Sequence, residues 1–180
     1  MTTLKDLTWD NHKQAEQTPV MKMLLTNQIS NSLYCDLVYT KYMIYSNIER
    51  RIDFATPCLR RAQAALNDWQ GMKYSIPNDL ASLDQYLARL REVSEDQLWA
   101  HVYVHYLAPL YGGQIIKRVI SGRFPTSMYE FDDPQAAIHE VRLHTDVQLA
   151  PEANLAFEST TEYYTDLYEI HKHDKLHSPD

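Results

Sequence analysis

Apolar residues recur along this chain every three to four positions, in runs punctuated by proline, glycine and small polar residues. Leu33, Leu37, Ile44, Ile48 and Ile52 keep helical spacing behind Ser30-Asn31-Ser32, which predicts a long helix to about Phe54. Leu80, Leu83, Leu87 and Leu90 form one stripe behind Asn78. Thr18-Pro19, Pro57, Asp133-Pro134 and Pro151 each place proline where a helix begins, since the first turn needs no amide hydrogen. Ser94 with Gln97 is a capping box. The first helix covers about Thr3 to Gln17, and the last reaches about His171. No segment alternates over strand length between hairpin turns. The pattern predicts eight helices in an all-α chain, with one domain over 1–172 and a polar tail over 173–180.

One predicted helix, from about Glu95 to Ile120, breaks its own rules. It contains Pro109 and the pair Gly112-Gly113, although the chain has only 4 glycines in 180 residues. An interior glycine costs roughly 1 kcal/mol relative to alanine, so the pair marks a bend or a surface that something approaches closely. A kinked helix with a bare backbone patch is the surface a flat ligand needs.

The first helix carries the complementary feature. Lys5, Trp9, His12 and Glu16 share one narrow stripe, while Leu4, Leu7 and Ala15 are expected to face the core. A carboxylate beside a histidine fixes the ring tautomer and makes a better metal ligand. The same spacing also suits an ordinary surface histidine with a neighbour one turn away.

Composition narrows the function classes. A net charge of −7 argues against nucleic acid as the partner. Arg50, Arg51, Arg60 and Arg61, and likewise Lys117, Arg118 and Arg123, read as solvated helix faces. Cys35 and Cys58 show no pairing or metal pattern. Glu140 and His144 are four apart, as are Glu169 and His173, so the Glu-x-x-His spacing of di-iron proteins is missing. No phosphate loop, dinucleotide fingerprint or nucleophile elbow occurs. The opening MTTLKDLTWD is no signal peptide, and no apolar run reaches the roughly 18 residues of a membrane span. The expectation is a soluble, cytoplasmic protein.

A histidine from one helix opposite a bent, glycine-bearing helix outlines a clamp for a planar cofactor such as haem. Two motifs then resemble a known family. HKQAE at 12–16, with Met21 beyond, is similar to the proximal His-x-x-Ala-Glu of haem oxygenases. HYLAPLYGGQIIK at 105–117 is similar to their distal helix, Arg-Tyr-Leu-Gly-Asp-Leu-Ser-Gly-Gly-Gln followed by two aliphatics and lysine. The resemblance covers most of the chain.

It implies haem sandwiched between the two helices, with His12 as iron ligand and Glu16 on its other ring nitrogen. Gly112 and Gly113 would let the distal backbone lie over the macrocycle. Lys5, Tyr103 and Arg142 would meet the propionates. The implied reaction opens haem with O2 and seven electrons to biliverdin, carbon monoxide and ferrous iron. A soluble donor such as ferredoxin would supply the electrons, with Lys117, Arg118 and Arg123 as its landing area. The sequence departs from the family at the distal aspartate, here Pro109, and at the preceding arginine, here His105. Proline has no N–H to give the His105 carbonyl, so that carbonyl and the His105 side chain could anchor distal water instead. The competing expectation is a haem-binding or haem-shuttling protein without the oxygenase step.

Overall fold

The computed structural model describes residues 1–72 and 77–174. Among the described residues it contains nine α-helices and no strand. They are α1 Leu4–Glu16, α2 Pro19–Leu25, α3 Asn31–Glu49, α4 Ala62–Met72, α5 Ala81–Glu92, α6 Glu95–Leu110, α7 Gly112–Ile120, α8 Pro134–Leu143 and α9 Ala150–His171. The C-terminal residues 175–180, most of the expected tail, lie outside the described residues.

Side-chain capping sets four of the nine helix starts. Thr3 and Asp6 close a capping box on α1, Ser94 and Gln97 close another on α6, Ser30 caps α3 and Asp133 caps α8. Each side chain satisfies amide hydrogens that have no partner inside the helix. The apolar stripes then bury. Leu33, Leu37, Ile44 and Ile48 of α3, with Leu83 and Leu90 of α5, are all within the core. Each contributes about 1.5–3 kcal/mol of transfer energy. The α1 helix packs along α9, α6 crosses α9, and α3 lies against α4 and α5.

Four boundaries differ from the sequence expectation. The α3 helix stops at Glu49, because Arg51 turns away to donate to the carbonyls of Leu90 and Val93, both at 2.6 Å. Ile52 and Phe54 stay buried from a loop instead. Pro57 opens only a three-residue 3-10 turn, and α4 begins at Ala62. The α5 helix begins at Ala81, since Asn78 gives its side-chain amide to Asp36 at 2.6 Å rather than capping. The long helix expected to Ile120 divides at Tyr111 (φ −107°, ψ −78°) into α6 and α7, which raises the count from eight to nine.

On α1 the core side is Leu4, Thr8 and Ala15, while Leu7 is 45% exposed. Thr8 tolerates burial because its hydroxyl donates to the Leu4 carbonyl at 3.0 Å.

Candidate functional site

A cavity of about 890 Å³ separates α1 from the α6–α7 junction. It borders each residue that the resemblance places against haem: Lys5, His12, Glu16, Tyr103, His105, Gly112, Gly113 and Arg142. The tertiary fold therefore brings together side chains 137 positions apart in sequence, from Lys5 to Arg142 (142 − 5).

On the α1 side, His12 sits 34% exposed between two rings, Trp9 at 5.4 Å and Phe157 of α9 at 5.3 Å between centroids. Glu16 Oε1 lies 3.0 Å from His12 Nε2, one helical turn away. The two aromatic contacts restrict the ring, so its position is set before any ligand enters.

The opposite wall is the junction of α6 and α7. Pro109 has no N–H for the His105 carbonyl, and the structure supplies a substitute: the Tyr45 hydroxyl of α3 donates to that carbonyl at 3.4 Å. The freed acceptor is therefore shared with a tyrosine that also borders the cavity. Burial pushes the Tyr45 hydroxyl well above its ordinary value, so it remains a donor at neutral pH.

The two glycines act differently. Neither has a positive φ, so backbone freedom is not the reason for either. A Cβ on Gly112 would meet nothing within 4 Å and would project into open space beside the cavity. A Cβ on Gly113 would stand 2.6 Å from Cδ1 of Tyr129, a distance at which something must shift. Gly113 is small so that α7 can close on Tyr129, whereas no protein atom requires a glycine at position 112. Both sit in the first turn of α7 rather than in a helix interior, so the interior penalty attached to them from sequence does not apply.

Cations and polar groups ring the mouth. Lys5 Nζ lies 5.4 Å from the Trp9 ring, and Arg142 Nη2 donates to the Tyr111 hydroxyl at 3.0 Å. Tyr103 is half-buried, and burial raises its hydroxyl above the ordinary value. Tyr111 is 50% exposed and lines the cavity as a polar group.

Sequence reasoning missed Lys41 and Tyr45, which α3 turns into the cavity, and Phe157, which α9 places on His12. Lys41 and Tyr45 stand four apart on one face of α3, and that spacing was the available signal. The basic cluster after the glycines is largely engaged. Lys117 pairs with Glu130 at 3.0 Å, and Arg123 donates to the carbonyls of Asn27 and Ile29 at 2.7 and 3.0 Å.

This architecture has known relatives. The chain is 27% identical to a heme oxygenase of Porphyra purpurea over 153 residues, which cover 72% of this chain and 65% of that protein. It is 26% identical to a heme oxygenase of Guillardia theta over 199 residues, covering 91% and 84%. Heme oxygenase-1 from Synechocystis sp. PCC 6803, solved in complex with heme, superposes with a TM-score of 0.80 at 26% identity, over 93% of this chain and 91% of that one. The family model described as heme oxygenase matches residues 1–165. With the cavity, the histidine wall and the divided distal helix in place over that same span, the chain belongs to the heme oxygenase family.

Proposed function

We propose that the chain binds haem in the cavity between α1 and the α6–α7 junction and cleaves it oxidatively to biliverdin, carbon monoxide and ferrous iron. The observation that carries this reading is the cavity itself: about 890 Å³, with His12 on one wall and the bare Gly112 backbone on the other. Haem, as substrate, brings the iron and the ring that is opened. His12 holds the iron from the α1 side, and Glu16 keeps the ring in one tautomer and raises its basicity. Lys5 and Arg142 neutralise the propionates at the mouth, and Tyr103 adds a hydroxyl. The tight wall made by Pro109, Gly113 and Tyr129 limits how the macrocycle seats. Electrons come from outside the chain, and a soluble ferredoxin suits a cytoplasmic protein. Among the described residues no helix is long and apolar enough to cross a membrane. Of the basic cluster, Arg118 is the most available to such a donor, since Lys117 and Arg123 are engaged.

Pro109 favours a second reading. Where relatives' motif has aspartate, proline offers no acceptor, and a haem carrier that has lost the oxygen step would show the same site. Adding hemin and then O2 with ferredoxin and its reductase separates the two. Biliverdin formation supports the enzyme, a stable haem spectrum supports the carrier, and no spectrum defeats both. His12→Ala removes the histidine-ligated spectrum under either reading; its persistence would remove His12 from the site.

A further inference from the structure

Behind the cavity wall, side chains from three helices form a single hydrogen-bonded file. His105 Nε2 lies 2.7 Å from the Tyr86 hydroxyl, which lies 2.6 Å from His101 Nδ1. His101 Nε2 in turn lies 2.8 Å from Glu152 Oε1. Arg89 closes the outer end, with Nε and Nη2 at 3.0 and 2.5 Å from the two Glu152 oxygens. His101, His105 and Tyr86 are 0%, 1% and 2% exposed, whereas the Arg89 side chain is 42% exposed. The file therefore runs from the cavity wall to the protein surface entirely through side chains.

The charge at the outer end fixes the direction of the bond between His101 and Glu152. Burial works against ionisation of Glu152, but the hydrogen bonds from His101 and Arg89 overcome it and hold the carboxyl down at about 2. Glu152 is thus an anion that accepts, and His101 Nε2 must carry a proton. Burial pushes His105 well below the usual histidine value, helped by the charge of Lys41 and by His101. Burial also keeps Tyr86 protonated. In the unloaded arrangement Tyr86 donates to His101 Nδ1, and His105 Nε2 donates to Tyr86. One acceptor then remains at the inner end: Nδ1 of His105, the residue that borders the cavity.

We propose that this file is a buried one-proton store opening on the cavity, in which His105 exchanges the proton and Tyr86, His101 and Glu152 position it. The proposal rests on the haem-cleaving reading, because reduction of O2 to water consumes protons at that cavity. In loading, a proton binds His105 Nδ1, the Nε2 proton passes to the Tyr86 oxygen, and the Tyr86 proton passes to His101 Nδ1. One proton is gained, and the positive charge rests on His101 beside the Glu152 carboxylate. Unloading reverses each transfer and returns one proton to the cavity. Lys41 of α3 faces His105 and repels charge there, which drives it to His101. The other facing groups are Tyr45, on the His105 carbonyl, and Tyr163 of α9, against the Tyr86 ring; both are neutral tyrosines raised by burial.

Nitrogen-15 spectra of the histidines in the haem-free protein test the file directly. The expected signature is that His105 moves its proton from Nε2 to Nδ1, without becoming charged, at the pH where His101 becomes a cation. In Tyr86→Phe that coupling disappears. Independent titration of the two histidines in the wild-type protein, or a charged His105, would overturn the proposal. In turnover assays, Tyr86→Phe and Glu152→Gln should bind hemin as the wild type does, yet lose about tenfold in rate, at the lower edge of acid–base contributions, with a displaced pH profile. Wild-type rate and pH profile in both variants would also overturn it. A coupled switch in a protein that binds hemin but never cleaves it would instead sink the haem-cleaving reading alone.

Discussion

His12 shows how little of a site one residue contains. Its spacing to Glu16 is compatible with an ordinary surface ion pair, and the geometry on α1 alone does not distinguish the two. The tertiary structure adds Phe157, contributed by α9, which closes the second side of the ring. Gly112 and Gly113 make the same point from the other wall, and substitution separates them. Gly113→Ala should destabilise the fold by about 1–3 kcal/mol, the usual cost of overpacking, read as a lower urea midpoint, because Tyr129 has to move. Gly112→Ala should leave that midpoint unchanged while weakening hemin affinity, since residue 112 borders the cavity and a Cβ there meets no protein atom within 4 Å. Equal effects of the two substitutions on stability would contradict the division of labour between them.

At the scale of elements, the distal helix is the informative one. Proline inside a helix removes a hydrogen bond and crowds the carbonyl four residues back, and α6 ends at Leu110, one residue after Pro109. The Tyr45 hydroxyl reaches across from α3 to the stranded carbonyl of His105. Pro109→Ala restores the missing N–H and should raise stability, by less than the roughly 3 kcal/mol assigned to an interior proline, because Tyr45 already offsets part of the loss. A higher urea midpoint checks it; an unchanged or lower one would mean that the break at Tyr111 is set by the glycines. The capping box on α6 was legible in sequence because its chemistry is local. The ends of α3 and the start of α5 were not, because Arg51 and Asn78 take partners about forty residues away, in contacts that no local pattern encodes.

At the scale of the whole molecule, the end of α9 is clasped to α3 by a buried histidine. His171 Nε2 lies 2.8 Å from Asp36 and Nδ1 lies 2.6 Å from Asp174, which Ser30 and Ser32 also hold. Burial disfavours the charged ring, but the hydrogen bonds to Asp36 and Asp174 outweigh it and raise His171 above the ordinary histidine value. The clasp therefore stabilises fully below the unfolded value of about 6.5 and fades as pH rises through the raised native value. His171→Gln should lower the urea midpoint most in mild acid and least in alkali; a loss independent of pH would show that the ring acts by packing alone.

The sequence by itself determined the helical class, the caps, the buried stripes and the two motifs, because each depends on periodicity or on residues within one or two turns. It also exposed Pro109 as the point of departure from the family pattern. Only the tertiary structure decided that Tyr45 answers the carbonyl Pro109 leaves unpaired, that Gly113 makes room for Tyr129, and that His105 and His101 connect through Tyr86 to Glu152. Those pairings join helices far apart in the chain, and their strength comes from burial that exists only once the helices have packed.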